Sequence, residues 1–199
     1  MPTINELQLA KELIRFPTVK TEDKGIMKFL SKKLTAIGFK CTIIKSKGTG
    51  TNPALNLYAR YGKSKPHIMY LGHTDVVANL DNWKFPPFKA VISKGYLNGR
   101  GAQDMKGGVA CWISAVSNFI KNNKFKGSVS IIISADEETT GYGCPAVMKY
   151  LRKKGEKIDF SIVGEPSSNK SVGDEIRIGR RGSMNGVITV YGKSGHSAF

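Results

Sequence analysis

The sequence predicts an α/β fold, a mostly parallel sheet flanked by helices, from three short apolar runs that each end in polar residues. The runs are Ile68–Gly72, Ser130–Ala135 and Phe160–Gly164, and an imidazole or a carboxylate follows each one directly. Short apolar runs of this kind are typical of strands buried on both faces of a parallel sheet. Helical segments are predicted between the second and third runs and before the second, which gives the β-α-β-α-β order of this class.

Two helices and two strands are predicted ahead of the first buried run. Residues Thr3–Glu6 have the form of a capping box, which would begin a helix with one apolar face: Leu7, Ala10, Leu13 and Ile14. A second helix is predicted at about 22–37, with Gly38 ending it. Alternation of apolar and polar residues in 41–44 and 55–58 predicts two strands.

The remaining elements are predicted in chain order as a hairpin at 90–97, a helix at 105–121, a strand at 128–134, a helix at 143–154 and a strand at 159–163. After Glu165 the sequence becomes loop-like, and Gly186–Tyr191 then predicts a new strand. A single strand without partners is not stable alone. We therefore expect the 199 residues to be a fragment or an early truncation of a longer protein.

The net charge of +16 is the unusual bulk property of the chain. Basic proteins bind nucleic acids, acidic membrane surfaces or small anions. The lysines are scattered and no nucleic-acid-binding motif is present, so a lysine-rich solvated surface that attracts an anionic small-molecule substrate is favoured. A nucleic-acid-binding module is an alternative that depends on the charge alone. We expect no nucleic-acid partner.

The cysteines and the hydropathy of the chain bear on whether the protein is secreted, spans a membrane or binds zinc through thiolates. The three cysteines are widely spaced and form no Cys-x-x-Cys pair, which argues against a disulfide framework and against a thiolate zinc site. No apolar run approaches the ~20 residues that a membrane span needs. The N-terminal residues lack the pattern of a signal peptide, so the sequence predicts a cytoplasmic protein without a membrane partner.

Four polar clusters predict a metal site. His73 and Asp75 follow the first buried strand, Asp136–Glu138 follow the second, Glu165 follows the third, and Asp104 lies in a glycine-rich loop before a helix. Open α/β sheets place ligands at the carboxyl ends of their strands. Imidazole nitrogen and carboxylate oxygen are ligands that suit zinc. Adjacent side chains in an extended segment diverge, so of Glu137 and Glu138 one would bind metal and the other would accept a proton.

Each cluster also has a purely structural interpretation. A His-x-Asp pair is often just a hydrogen-bonded pair, and Asp136–Glu138 could place negative charge at the N-terminus of the next helix. Glu165-Pro166 could be an ordinary turn. The four clusters together favour the metal site, because each follows a strand or begins a helix.

Taken together, His73–Val77, Gly99–Gly107, Asp136–Glu138 and Gly164–Ser167 resemble the dinuclear zinc deacylase and peptidase family, which includes acetylornithine deacetylase, aminoacylase and glutamate carboxypeptidase. The segment Gly179–Ser183, after Gly173-Asp174, is most similar to the family members that hydrolyse N-succinyl-LL-2,6-diaminopimelate in lysine and cell-wall precursor synthesis. The resemblance implies a zinc-dependent amidohydrolase. Acetylornithine deacetylase, or another N-acyl amino acid amidohydrolase of the family, is the nearest alternative.

The resemblance also implies a role for each residue that matches a family motif. His73 and Glu165 would hold one zinc, Glu138 would hold the other, and Asp104 would bridge them. Family members hold two zinc ions per subunit, with cobalt as an alternative metal. Glu137 would be the general acid and base, with Asp75 orienting His73.

Two further residues match family positions outside the metal motifs. His196 would stabilise the oxyanion in the active site of a partner subunit, and Arg180 would meet a substrate carboxylate, although a polar hairpin residue is its structural alternative. Residues 1–179 would then be the N-terminal part of the catalytic domain. Residues 180–199 would begin a smaller α+β dimerisation domain, and the full-length protein would be a homodimer.

Family members are longer than this chain, and a late histidine completes their second zinc site. The chain has His67, His73 and His196 alone. His67 lies six residues before His73, roughly 20 Å along a strand, and cannot substitute. We therefore expect the second site to be incomplete, with at most one tightly bound zinc and little or no activity. A non-catalytic metal-binding fragment is the alternative that follows.

Overall fold

The computed structural model describes residues 3–49, 51–78, 81–179, 182, 184 and 186–196. Its helices, in chain order, are α1 Glu6–Ile14, α2 Ile26–Ala36, α3 Gly107–Asn122 and α4 Gly143–Lys153. Its strands are β1 Lys40–Ser46, β2 Ala54–Gly62, β3 His67–His73, β4 Val91–Ser93, β5 Tyr96–Asn98, β6 Ser128–Ser134 and β7 Phe160–Val163. One wide helical turn, Ala102–Lys106, leads into α3.

Five strands form one mixed sheet in the order β1-β2-β6-β3-β7, and β4 and β5 form a separate hairpin. The pairings of β3 with β6 and with β7 are parallel, whereas β1 with β2 and β2 with β6 are antiparallel. The α/β class and the flanking helices are confirmed. Within the five-stranded sheet, parallel pairing is confined to β3, β6 and β7, the three strands that the apolar runs predicted.

The two faces of the sheet are covered by different helices, because successive strand residues point to opposite sides. Helices α1, α2 and α3 pack on one face against alternate residues that include Leu57, Tyr70, Ile131 and Ile133. Helix α4 packs Val147 and Leu151 on the other face, against Tyr58, Met69 and Ile132. Strand β6 is buried along its whole length, so its carboxyl end is fixed from both sides.

The start of α1 differs from its prediction. Asn5 caps the helix by accepting a 2.8 Å hydrogen bond from the Gln8 amide, so the capping box at Thr3–Glu6 is wrong. Leu7 is 45% exposed, whereas Leu9 is buried. The buried face is therefore Leu9, Ala10, Leu13 and Ile14, and Leu7, in the first turn of the helix, is exposed.

The chain divides into two compact units, Met1–Pro166 and Ser167–Phe199. In the second unit the Asp174 carboxylate accepts hydrogen bonds from the amides of Asn169, Lys170 and Ser171. The predicted strand Gly186–Tyr191 is wrong, since these residues lie outside any strand wherever they are described. Among the described residues no segment pairs with it, and unpaired strands do not persist. A smaller domain beginning at residue 180 stays a prediction.

None of the helices in the described ranges combines the length and the apolar character that crossing a membrane requires.

Candidate metal centre

The strand register brings the predicted ligands to one edge of the sheet. In the parallel ladders His73 pairs with Ser134 of β6, and Leu71 pairs with Val163 of β7. Residues that follow β6 and β7 therefore emerge beside His73, with Glu165 two positions beyond Val163 and level with the imidazole. The carboxyl ends of parallel strands are where α/β sheets bind ligands.

His73 forms the floor of the site, with 1% of its side chain exposed. Its Nδ1 lies 3.0 Å from the backbone oxygen of Asp75. A carbonyl oxygen can only accept, so Nδ1 carries the proton and Nε2 points at the acidic cluster. Nε2 lies 3.1 Å from Asp104 Oδ1, 3.8 Å from Glu165 Oε1 and 4.0 Å from Glu137 Oε2.

Asp75 is as deeply buried as His73 and joins two strand ends. Its Oδ2 accepts a 2.9 Å hydrogen bond from the backbone amide of Glu138. Its Oδ1 lies 3.6 Å from His73 Nδ1 and has no closer hydrogen-bond partner among the described residues. The backbone oxygen of Asp75 therefore contacts the imidazole, and its carboxylate contacts the start of the Glu138 segment.

Asp104 reaches the site from the wide turn before α3. Gly101 begins this turn with φ 79°, a conformation that favours glycine, and the peptide bond between Asp104 and Met105 is cis. Met105 is completely buried against the core, whereas the Asp104 side chain is 49% exposed. Met105 thus packs the turn against the core, and the Asp104 carboxylate lies next to His73 Nε2.

Asp136 holds the segment that carries Glu137 and Glu138. It is fully buried, and its carboxylate accepts hydrogen bonds from the amides of Thr140 and Tyr142 and from the hydroxyls of Thr139 and Thr140. These four bonds close residues 136–142 into a compact turn. Glu137 and Glu138 lie in this turn and not in an extended segment, and each belongs to a cluster of possible ligands around His73.

Glu165 depends on the close packing of its neighbour Gly164 against Tyr70. A Cβ added at Gly164 would lie 1.9 Å from the Tyr70 hydroxyl oxygen, so a larger residue cannot occupy this position without moving the ring. Tyr70 is buried and stacks on Trp112 with ring centroids 5.0 Å apart. The strand end before Glu165 is held against a rigid aromatic pair.

The crowding of negative charge shifts the pKa values of the site. Burial opposes the charged imidazole, but the hydrogen bond and charge of Asp75 and the charges of Glu165 and Asp104 outweigh it and raise the pKa of His73 to about 9. Burial and the charges of Asp104 and Glu137 raise the pKa of Glu165 to about 7, against the attraction of His73. Burial and Asp104 also raise the pKa of Glu138.

Two overlapping sets of side chains could hold a metal ion. The first is His73, Asp104 and Glu138, the second is His73, Glu137 and Glu165, and within each set the ligand atoms lie within 4.8 Å of one another. The donors are one imidazole and carboxylates, which suit zinc. Five of the 15 acidic residues of a chain with net charge +16 meet here, so a divalent cation would relieve repulsion that the raised pKa values record.

A cavity of about 580 Å³ opens beside Asp104 and Glu138. Its other walls include Val76, Trp83 and Arg100, with the Arg100 guanidinium 4.9 Å from the centre of the Trp83 ring. Cavities of this size accept small-molecule ligands. The metal centre therefore borders a space that can hold a substrate.

A family model described as Peptidase family M20/M25/M40 matches residues 69–193, which include all the ligands just described. The chain belongs to Peptidase family M20/M25/M40. The residues that match the M20 model include β3, the Asp104 turn, α3, β6, α4 and β7, and the candidate metal centre lies among these elements.

Curated relatives of this M20 chain carry the name succinyl-diaminopimelate desuccinylase. The protein of that name from Pelagibacter ubique is 50% identical over 203 residues, which cover 100% of this chain and 53% of the relative. The one from Ehrlichia canis is 44% identical over 200 residues, which cover 98% of this chain and 52% of the relative. The chain thus spans about half the length of the curated relatives that it matches.

Two solved structures share the fold. An M20 family metallo-carboxypeptidase from Sulfolobus solfataricus has a TM-score of 0.68 at 23% identity and covers 80% of this chain and 37% of its own. Human carnosine dipeptidase 1 has a TM-score of 0.67 at 22% identity, with 79% of this chain and 37% of its own covered.

The structure brings six of the eight predicted site residues of this M20 chain into one cluster: His73, Asp75, Asp104, Glu137, Glu138 and Glu165. Arg180 lies outside the described residues. His196 is an exposed residue of the second unit. The individual roles stay predictions, and the second candidate set adds Glu137, the predicted proton acceptor, as a potential ligand.

Two supporting residues of this M20 site were not predicted. In the sequence, Asp136 is only one member of an acidic run, and Lys106 is only one position of the glycine-rich motif. Burial lowers the pKa of Lys106 to about 7, against the opposing charge of Asp75. The sequence signal for Lys106 is its position between Met105 and Gly107, in the loop just before α3. A surface lysine would be more typical of the helix that follows.

Proposed function

We propose that this protein is a succinyl-diaminopimelate desuccinylase, which hydrolyses N-succinyl-LL-2,6-diaminopimelate to succinate and LL-2,6-diaminopimelate. The observation that carries the proposal is the 50% identity, along the entire chain, with a relative of that name. Since the chain spans 53% of that relative, the proposal concerns a protein of the relative's full length that contains these residues. The reaction would serve lysine and cell-wall precursor synthesis.

Zinc is the metal proposed for the centre, with cobalt as its alternative. His73 and Glu165 would hold one ion, Glu138 would hold a second, and Asp104 would bridge the two. The buried imidazole with Nε2 facing three carboxylates supports this assignment, because it matches the nitrogen and oxygen donors that zinc prefers. Bound zinc would supply Lewis acidity, which polarises the amide carbonyl and lowers the pKa of water.

Glu137 is the proposed proton carrier. Its side chain is 40% exposed at the rim of the centre and lies 4.0 Å from His73 Nε2. A carboxylate there can accept a proton from the attacking water and return it to the leaving amine of the substrate. The more buried Glu138 is tied at its amide to Asp75 and is less free to move between these two tasks.

Substrate recognition is proposed for two residues of the second unit. Arg180 would bind a substrate carboxylate through its planar guanidinium, and His196 would stabilise the oxyanion in the site of a partner subunit. The resemblance of their sequence motifs supports both roles. A homodimer and a cytoplasmic location belong to the same proposal, because the dimer supplies His196 and the substrate is an amino-acid precursor made in the cell.

The test is a comparison of two substrates with the full-length, zinc-loaded protein. We expect turnover of N-succinyl-LL-2,6-diaminopimelate to exceed that of N-acetylornithine by orders of magnitude in kcat/KM. The reverse preference would make the protein an acetylornithine deacetylase. Failure to hydrolyse either amide by a protein with full zinc content would favour the non-catalytic alternative.

Glu137→Ala in the same protein tests the proton carrier. Turnover should be abolished while zinc content stays that of the unaltered protein, because Glu137 is proposed to move a proton and not to bind metal. Glu22→Ala, which removes an exposed carboxylate paired with Lys24, is the matched control and should leave both unchanged. Full activity of Glu137→Ala, or loss of zinc from it, would contradict the assignment.

A further inference from the structure

Lys106 is completely buried two residues after Asp104, with an exposed fraction of 0%. Lysine side chains are almost never fully buried unless the amino group has a partner, because desolvating that group is costly. The chain keeps a lysine here, between Asp104 and helix α3 and next to the completely buried Met105. Its contacts therefore need a reason.

The amino group of Lys106 donates a 2.8 Å hydrogen bond to the backbone oxygen of Phe16. The same oxygen accepts a 2.9 Å hydrogen bond from the Thr18 amide. Lys106 thus joins the Asp104 turn to the loop Phe16–Lys20, which follows α1 and is distant from the turn in sequence.

The loop Phe16–Lys20 is in turn paired with the strand end that carries Asp75. The Thr18 hydroxyl donates a 2.5 Å hydrogen bond to the Thr74 carbonyl, and the Val76 amide donates a 3.0 Å bond to the Thr18 carbonyl. The Lys20 amide donates a 3.1 Å bond to the Val76 carbonyl. Val19 and Val76 form an isolated parallel bridge, so this loop pairs with the chain just after β3 ends.

The path of the Lys106 side chain is also fixed by shape. A Cβ added at Gly101 would lie 3.2 Å from Lys106 Cδ and 2.8 Å from Val76 Cγ1. The lysine stem therefore passes against the backbone of the turn that presents Asp104, with Val76 on the same side. Lys106 and Val76 therefore both pack against Gly101, so the turn that carries Asp104 lies against the segment that follows Asp75.

We propose that Lys106 is a positioning residue for the metal centre, which sets the Asp104 turn against the His73–Asp75 strand end through the loop Phe16–Lys20. The chain of contacts runs from the Lys106 amino group to Phe16, through Thr18 to Thr74 and Val76, and so to the two residues that flank Asp75. Lys106 touches neither metal nor substrate in this arrangement. The inference rests on the proposed metal centre and is independent of which amide the protein hydrolyses.

The decisive variant is Lys106→Met in the 199-residue chain, since methionine has a similar length and lacks the donor. We expect its zinc affinity, measured by calorimetry, to fall by roughly tenfold or more, as is typical when a residue that supports metal ligands is lost. The visible absorption spectrum of the Co²⁺-loaded variant should also change, because the ligands are no longer held in the same geometry. Lys65→Met is the matched control: Lys65 donates to Asp159 at the opposite end of β3 and should affect neither measurement.

A second pair of variants separates positioning from folding. Thr18→Val removes the hydroxyl bond to Thr74 with little change in shape, and it should weaken zinc binding in a chain that still unfolds cooperatively. Thr18→Ser keeps the hydroxyl and should restore zinc affinity. If Lys106→Met does not fold, this pair decides the question alone.

Unaltered zinc affinity and an unaltered Co²⁺ spectrum in folded Lys106→Met would overturn the positioning role, as would equal zinc affinities for Thr18→Val and the unaltered chain. Zinc affinity lost only in variants that lose cooperative unfolding would make the role purely structural. No zinc binding by the unaltered chain would contradict the metal centre itself, and with it both this role and the zinc-dependent mechanism. A different substrate preference in the full-length protein would contradict the proposed function alone.

Discussion

The Asp75 carboxylate accepts a 2.9 Å hydrogen bond from the backbone amide of Glu138, 63 residues later in the chain. The other oxygen of the same carboxylate faces His73 Nδ1 at 3.6 Å. One buried residue therefore contacts the imidazole at the end of β3, through its backbone oxygen at 3.0 Å, and the acidic segment after β6, through its carboxylate. We therefore expect the geometry of the candidate metal centre to depend on Asp75 as well as on the predicted ligands.

Asp75→Asn should weaken zinc binding by roughly tenfold to a hundredfold, because the residues that support ligands contribute about this much to metal affinity. The amide side chain has the same shape but carries no negative charge to polarise His73. Calorimetric titration of the 199-residue chain with zinc measures the change. Asp159→Asn is the matched control, since Asp159 also accepts a backbone amide bond, from His67, at the far end of β3. Equal zinc affinities for Asp75→Asn and the unaltered chain would show that Asp75 does not support the ligands.

Zinc binding should release protons near neutral pH. The pKa of His73 is raised to about 9 and that of Glu165 to about 7, so at pH 7 the imidazole is mostly protonated and the carboxyl partly so. A metal ion requires both groups without their protons. Zinc affinity should therefore rise with pH from 6 to 9, with more than one proton released at pH 7. Calorimetry in two buffers of different ionisation enthalpy counts these protons, and an affinity independent of pH would contradict the assigned ligands.

The ligand positions could be predicted from sequence because they follow strong local patterns. The predicted strand 128–134 coincides with β6. Strand β3 ends at His73, β6 ends two residues before Asp136, and β7 ends two residues before Glu165. Parallel pairing then places these residues together without further information. The apolar runs are buried from both sides, so tertiary contacts reinforce the local preference.

Features that depend on distant contacts were not predictable in the same way. Asn5 and not Thr3 caps α1, and the residue between them is held by α3. The Ser117 hydroxyl accepts a hydrogen bond from the Ile4 amide, and the Ser114 hydroxyl donates one to the Ile4 carbonyl. The strand expected at 186–191 needs partners that its own residues do not specify. Burial of Lys106 requires the carbonyl of Phe16, 90 residues away in sequence.

Asp136→Ala should lower the free energy of unfolding by about 3 kcal/mol, because it leaves two amides and two hydroxyls of the turn 136–142 without their acceptor. Urea unfolding followed by circular dichroism measures the loss. Asp174→Ala is the matched control in the second unit, where the carboxylate also accepts backbone amides but is exposed, and it should leave the main transition unchanged. A main transition equally unaffected by Asp136→Ala would mean that the turn is held by other contacts.

The most direct test of the metal centre is the number of zinc ions that the 199-residue chain binds tightly. Both candidate ligand sets among the described residues contain His73, so they share a single imidazole and cannot each hold a zinc ion with it. Equilibrium dialysis followed by elemental analysis should find one tightly bound zinc per chain, and none in His73→Ala. Two tight zinc ions per chain, or one that His73→Ala retains, would contradict the account of this centre.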